Sequence, residues 1–410
     1  MKKLSLMFVL FGLFGYPAYS QTLDDYFRIA AENNPGLQAH YKAYEAALQK
    51  VPQFGSLPDP TLSLGYFLKS VETRVGPQRA KFSLTQMFPW FGTLRAQGDA
   101  LALMAEAQRQ VFIDARNKLF YQVAAAYYPL YELEQLSAIE RENIRILETY
   151  KHIAMEKFEN GMGSMVDVLR VDITLNEART NLGILTEKQK PLLTAFNRIL
   201  NRAEDTPVRI VDSLQVDTIQ VAALKDSMLA NNPLLRELEL KYQSAQAAEQ
   251  AAMKQGLPRF GVGIDYVLVD ERTDMNVADN GKDVIMPMIS LSIPIFRSKY
   301  KAAQDEAKLM QQSYRLRQED LRNQLSSDFE TLWFEISKQR DLIQLYDTQI
   351  KTSRQTLHLL FSAYGNTGKD FEEVLRMEQQ LLKYQKMKVT ALAQFHINVE
   401  KMYYLTAKEK

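Results

Sequence analysis

The chain is written twice, and this repetition constrains its fold more than any other feature. Asn33-Asn34-Pro35 recurs as Asn231-Asn232-Pro233, and Gly55-Ser56-Leu57-Pro58 recurs in shorter form as Gly256-Leu257-Pro258. Phe88-Pro89-Trp90-Phe91 recurs as Ile293-Pro294-Ile295-Phe296, and Asp167-Val168-Leu169 as Glu373-Val374-Leu375. The four offsets lie between 198 and 206 residues, in one order along the chain. Internal repetition decides architecture before any local pattern does. We therefore read residues 21–206 and 221–410 as two copies of one unit, joined by a linker at 207–220.

Each copy follows one grammar. A short helix stops at an Asn-Asn pair, and proline opens the next helix, where its missing N–H costs nothing. Two strands follow, then a very long helix, a glycine-containing turn near 161 or 365, and a second long helix. From Leu94 to Asn160 the residues are mostly good helix formers. About 65 residues at 1.5 Å each reach about 100 Å, more than an ordinary globular domain needs. The return helix keeps a heptad stripe through Val168, Val171, Leu175, Ala178, Leu182, Leu185, Gln189, Leu192, Phe196 and Ile199, the mark of coiled-coil packing. The last helix carries two stripes, one including Val374, Leu381 and Phe395, the other Leu375, Val389 and Val399. Two stripes require neighbours on both sides. Pro129 and Pro191 lie at similar heights in the first hairpin, so a bend or restart is expected there, with the second hairpin continuous.

The strand candidates are Thr61–Lys69, Arg79–Phe88, Arg259–Val269 and Ile285–Ile293, joined in pairs by polar loops at 70–78 and 270–283. In the first, Leu62, Leu64, Tyr66 and Leu68 share one face. In the third, Phe260, Val262, Ile264, Tyr266 and Leu268 do so. Segments of about ten residues with one apolar face suit a membrane β-barrel. Four strands cannot close alone, and open edges in hydrocarbon leave backbone groups unsatisfied at several kcal/mol each. Two copies give eight strands, whose interior fills with side chains. Three copies give twelve and leave room for an aqueous lumen, so the pattern calls for a homotrimer.

The expected compartment agrees. Lys2 and Lys3, the apolar run Leu4 to Gly15 and Ala18-Tyr19-Ser20 read as a signal peptide over residues 1–20, cleaved before Gln21. The chain has no cysteine, which removes disulfides, thiolate metal sites and a lipidated N-terminal cysteine. The net charge of +1 gives no basic face for nucleic acid. The four histidines, His40, His152, His358 and His396, lack metal-ligand spacing, and no catalytic motif stands out. We expect no enzyme activity and no cofactor.

Taken together, these features resemble the TolC-like outer membrane factor family. The resemblance covers essentially the whole mature chain. It is carried by the two-copy grammar and by Gln86-Met87-Phe88-Pro89-Trp90-Phe91-Gly92 and Ser292-Ile293-Pro294-Ile295-Phe296 at strand-to-helix joins. Phe158-Glu159-Asn160-Gly161 running into Val166-Asp167-Val168-Leu169 completes it. It implies a mainly α fold with membrane strands: a homotrimer with a twelve-stranded barrel in the outer membrane of a Gram-negative cell and a helical barrel across the periplasm. It also implies an exit duct for efflux or type I secretion, served by an inner-membrane transporter and a periplasmic adaptor (membrane fusion protein). The cargo, whether drug, metal ion or protein, is not readable here. By the same resemblance, the tips around Gly161, Gly163 and Ser164 and around Gly365 and Gly368 meet the adaptor, and Glu373, Asp167 and Tyr364 form the gate. Two departures stand out. Arg376 follows Glu373 by one turn, where some members carry a second acid. Thr367 takes the usual tip-glycine position. The competing reading is a soluble periplasmic coiled-coil scaffold or binding protein.

Overall fold

The computed structural model describes residues 22–216, 221–367 and 371–408. The signal-peptide residues 1–20, the last four linker residues and Gly368 lie outside the described residues. The order is α1 (Leu23–Asn33), α2 (Pro35–Gly55), β1 (Thr61–Thr73), β2 (Gly76–Phe88), α3 (Thr93–Glu159), α4 (Met165–Ile199), α5 (Val221–Asn231), α6 (Pro233–Gln255), β3 (Arg259–Val269), β4 (Val284–Ser292), α7 (Ser298–Thr367) and α8 (Phe371–Leu405). Helix–helix–strand–strand–helix–helix thus runs twice, as the repeat requires.

The repeated Asn-Asn-Pro does the same work in both copies. Thr22 opens α1 with a capping box, its hydroxyl accepting from the Asp25 amide while the Asp25 carboxylate accepts from Thr22. The Asn34 side-chain amide then donates to the carbonyl of Ile199 at the end of α4, at 2.9 Å. In the second copy Asn232 caps α6, accepting from the amides of Leu234 and Leu235 at 3.0 and 3.3 Å. Its amide donates to the carbonyl of Leu405 at the end of α8, at 3.2 Å. One side chain per copy therefore answers an orphan carbonyl of a long helix, which explains why this motif recurs.

The residues form two compact units. The first holds residues 22–34, 122–216 and 339–397. Its aromatic centre sets Tyr26 edge-on to Phe196, ring centroids 5.1 Å apart, with the Arg202 guanidinium 5.4 Å from the Tyr26 ring. The Asn197 side-chain amide donates to the carbonyls of Glu204 and Thr206 at 2.8 and 2.9 Å. The chain after α4 is thereby tied down without regular structure. The second unit holds residues 35–121, 221–338 and 398–408. Its helices meet through buried Ala96, Ala100, Ala245, Ala251, Ala252 and Ala307. Small side chains let backbones approach, and the Ser244 hydroxyl donates to the Ala100 carbonyl at 2.7 Å.

Of the bend or restart expected at Pro129 and Pro191, the restart does not occur. α3 runs unbroken through Pro129 for 67 residues, and α4 runs through Pro191 for 35. Each proline forfeits one main-chain hydrogen bond. Around Pro129 the side chains of Tyr127, Tyr128, Leu130 and Tyr131 are all buried, and the Val211 amide donates to the Tyr127 hydroxyl at 3.0 Å. Packing on this scale outweighs a local penalty of about 3 kcal/mol.

The strands form one antiparallel sheet in the order β1-β2-β3-β4. The β1–β2 connection is much shorter than the nine-residue loop expected. Pairing resumes beyond an irregularity between Tyr66 and Val71 and continues to Thr73↔Gly76. Gly76 sits at φ +129°, and a Cβ there would lie 1.9 Å from the carbonyl oxygen of Asp270, so only glycine lets the turn seat against the β3–β4 loop. That loop is strapped in turn: Asn280 accepts from the Arg272 amide and donates to its carbonyl, at 2.9 and 3.0 Å.

Candidate functional site

Two regions bear on function. The first is the sheet. Its register lines up Leu64, Phe82, Tyr266 and Ile285 in one row and Leu62, Leu84, Ile264 and Pro287 in the next. Apolar side chains on this face stay exposed, up to 94% at Leu68 and 87% at Ile289. An apolar face spanning all four strands matches a lipid-facing band. The opposite face carries Ser63, Ser83 and Asp265 in one row, with Gly65, Lys81 and Val267 in the next. There Lys81 and Asp265 form an ion pair, the aspartate fully buried. No helix among the described residues is long and apolar enough to cross a membrane.

The second region is the end of the helical hairpins in the first unit. α3 closes in a Schellman turn: the Gly161 amide donates to the Phe158 carbonyl and the Met162 amide to the Lys157 carbonyl, at 3.0 and 2.8 Å. Gly161 takes the left-handed φ of +72° that this motif needs. Gly163 passes close to the last turn, where a Cβ would stand 3.0 Å from the Lys157 side chain. Ser164 caps α4, accepting from the Val166 amide at 3.1 Å. Gly365 falls in the last turn of α7, because that helix continues to Thr367 before α8 starts at Phe371.

Behind the tip lies a core of Tyr150, Val168, Val171, Tyr364, Phe371 and Val374. Tyr364 is 1% exposed and packs at a tilt against Phe371, 4.8 Å between ring centroids. The Lys157 ammonium lies 4.3 Å from the Tyr364 ring centre and donates to the Tyr364 carbonyl at 2.7 Å. The Tyr364 hydroxyl finds no hydrogen-bond partner among the described residues. Burial, and then the nearby Asp167, push its ionisation above the ordinary range. Asp167 and Tyr364 are thus brought together. Glu373 is not part of that pair and instead bonds to Arg376 one turn on. Glu372 reaches across to Arg170 at 2.8 Å, and Arg170 also lies 3.9 Å from Asp167. Each of these tip carboxylates therefore has a cation of its own chain beside it.

Lys157 and Phe371 fall inside the expected tip stretches, but the sequence gives no specific contact for them or for the pair Tyr150–Glu378. Nothing in local spacing marks them, since each meets its partner across helices. The Tyr150 hydroxyl donates to Glu378 at 3.4 Å. Burial raises the Glu378 carboxyl above its usual range, opposed in part by that hydrogen bond. A carboxyl raised in the folded state binds more protons there than in the unfolded chain. It therefore costs stability increasingly as pH rises from the unfolded pKa through the raised one. Glu378→Gln is expected to raise the thermal midpoint at pH 7 and to change it little below pH 4. Melting curves at the two pH values check this.

A chain that joins a sheet with an exposed apolar face to two helices of 67 and 70 residues defines a class, the mixed α/β outer-membrane channel subunits. The outer membrane efflux protein family model matches residues 27–202 and 224–408, one copy per segment, and the chain belongs to that family. Its place is therefore the outer membrane, with a large periplasmic part. The outer membrane efflux protein BepC of Brucella suis biovar 1 is 24% identical over 301 residues. That alignment spans 71% of this chain and 64% of BepC, under two thirds of its length. In fold, the chain is similar to the outer membrane protein VceC of Vibrio cholerae, with a TM-score of 0.74, 15% identity, and coverage of 94% of this chain and 95% of that one. A membrane protein of Pseudomonas aeruginosa gives the same TM-score of 0.74 at 14% identity, covering 94% and 93% of the two chains.

Proposed function

We propose that three copies of this chain form one exit duct, which takes substrates from an inner-membrane pump and passes them across the periplasm and outer membrane. The observation that carries this is the four-stranded sheet with an exposed apolar face on every strand. Within the described residues β1 and β4 each pair on one side only. Three such sheets close a twelve-stranded barrel and leave no edge in lipid. A soluble scaffold would have no use for an apolar face this broad. Seminative electrophoresis of detergent extracts and planar-bilayer conductance test the reading. A detergent-free soluble monomer that conducts nothing overturns it.

The helical part supplies the partner surface. A groove of about 590 Å³ on the first unit is lined by Ile146, Tyr150, Leu357, Phe361, Glu378 and Leu381, drawn from α3, α7 and α8. Its apolar floor, edged by Glu142, Glu378 and Arg354, suits an amphipathic helix, which fits docking by the hairpin of a periplasmic adaptor. The tips at Gly161, Gly163, Ser164 and Gly365 are assigned to the same contact.

At the entrance, Glu373, Asp167 and Tyr364 act as the gate. Threefold symmetry brings three Glu373 carboxylates to one constriction, a seat for cations, but the Arg376 guanidinium already occupies each one. Arg376→Ala is expected to deepen divalent-cation block of single-channel current, and Glu373→Gln to weaken it. Titration of block in a planar bilayer checks both. Unchanged block in both variants removes Glu373 from the gate.

A further inference from the structure

At the β2–α3 junction the sheet's apolar face meets a cavity with a polar floor. Trp90 stacks on Phe260 at 5.5 Å, and Phe91 lies 6.2 Å from the same ring. Phe260 stands on the outward face, in register with Phe88 and Leu291. Directly behind Trp90 opens a cavity of about 570 Å³, lined among others by Phe54, Asp59, Trp90, Thr93, Lys254 and Arg259.

Three features of its floor point to a phosphate. Thr93, the first residue of α3, is 3% exposed, yet its hydroxyl has no hydrogen-bond partner among the described residues. A buried hydroxyl without a partner is destabilising and asks for an acceptor. The Lys254 ammonium reaches over the helix start, 3.3 Å from the Gly92 carbonyl. The first turn of α3 also brings Leu94 to the lining, and its amide precedes the intrahelical ladder. Thr93, Leu94 and Lys254 line the same cavity, where Lys254 and Arg259 outweigh the single carboxylate, Asp59.

We propose that this cavity binds the phosphodiester headgroup of a glycerophospholipid from the periplasmic leaflet. The acyl chains then run along Trp90, Phe91 and Phe260 onto the outer face of the sheet. The continuity of the cavity with the apolar band selects a membrane lipid over a soluble phosphate, since a free anion would make no use of the exposed aromatic wall. The inference rests on the barrel reading above.

The chain has two tryptophans, so Trp333→Phe leaves Trp90 as the reporter. Detergent-solubilised trimer of that variant is titrated with phosphatidylglycerol carrying brominated acyl chains. Saturable quenching of Trp90 is expected, while brominated diacylglycerol, which lacks the phosphate, should not saturate. Thr93→Val and Lys254→Met should each raise the half-saturating concentration about tenfold, as loss of a charge-assisted contact predicts. If Lys254→Met does not assemble, the near-isosteric Thr93→Val decides alone. Equal quenching by the diacylglycerol, unchanged titration in the variants, or relief by sodium phosphate overturns the lipid site. Conductance of the same trimer in a planar bilayer tells that result apart from failure of the duct itself.

Discussion

Ile264→Arg is expected to remove the assembled trimer from the outer membrane. Ile264 stands at the middle of β3, 47% exposed, in the row Leu62, Leu84, Ile264 and Pro287. Ile264 itself lies midway between the two ends of β3, away from the strand ends where a long cation could snorkel out. An arginine at the midplane of a barrel's lipid face costs about 2–4 kcal/mol per site. Threefold symmetry triples it to about 6–12 kcal/mol, comparable to the whole stability of a typical domain. Ser63→Arg provides the contrast. Ser63 lies on the opposite face, in the row of Ser83 and Asp265, where a charge meets water and a carboxylate. The expected result is a trimer band in outer-membrane extracts for the Ser63 variant and none for the Ile264 variant. Equal bands would mean that this face does not meet lipid.

Tyr364→Ala is expected to loosen the hairpin tips and leave the channel conducting at rest. The ring fills the core between Phe371 and the Lys157 ammonium. Truncating a buried aromatic costs about 3–5 kcal/mol, concentrated here where α7 gives way to α8. Tyr364→Phe separates the two ways a tyrosine can hold such a tip. Its hydroxyl has no partner among the described residues, so closure acts through the ring, and the phenylalanine variant should close normally. Melting of the purified trimer and resting conductance measure both effects. A phenylalanine variant as leaky as the alanine one would show that the hydroxyl is used in the closed assembly.

The residues proposed for the gate were legible to different degrees, for physical reasons. Asp167 and Glu373 stand at helix starts after a turn, where carboxylates are favoured by the helix dipole. That position can be read from spacing, and it holds for both. What each carboxylate faces cannot be read so. Asp167 lies near enough to Tyr364 to disfavour its ionisation, whereas Glu373 is taken by Arg376, although the two belong to corresponding places in the repeat. The contact of Lys157 escaped notice because its partner, the Tyr364 carbonyl, lies 207 residues away.

The duplicated order of elements, the four strands with their apolar faces and the heptad stripes were all determined by the sequence alone. Each is a periodicity along one dimension, and period-two and period-3.5 patterns each have one geometry that buries or exposes them together. Tertiary structure decided where local penalties are overruled and which charges meet. α3 continues through Pro129 because the buried tyrosines beside it outweigh one lost hydrogen bond. The β1–β2 loop shortens to a tight turn because Gly76 can lie against Asp270. The Lys81–Asp265 pair exists because β2 and β3 come from different copies of the repeat and are joined only in the sheet. Such outcomes depend on sums over neighbours distant in the chain, and no local pattern carries those sums.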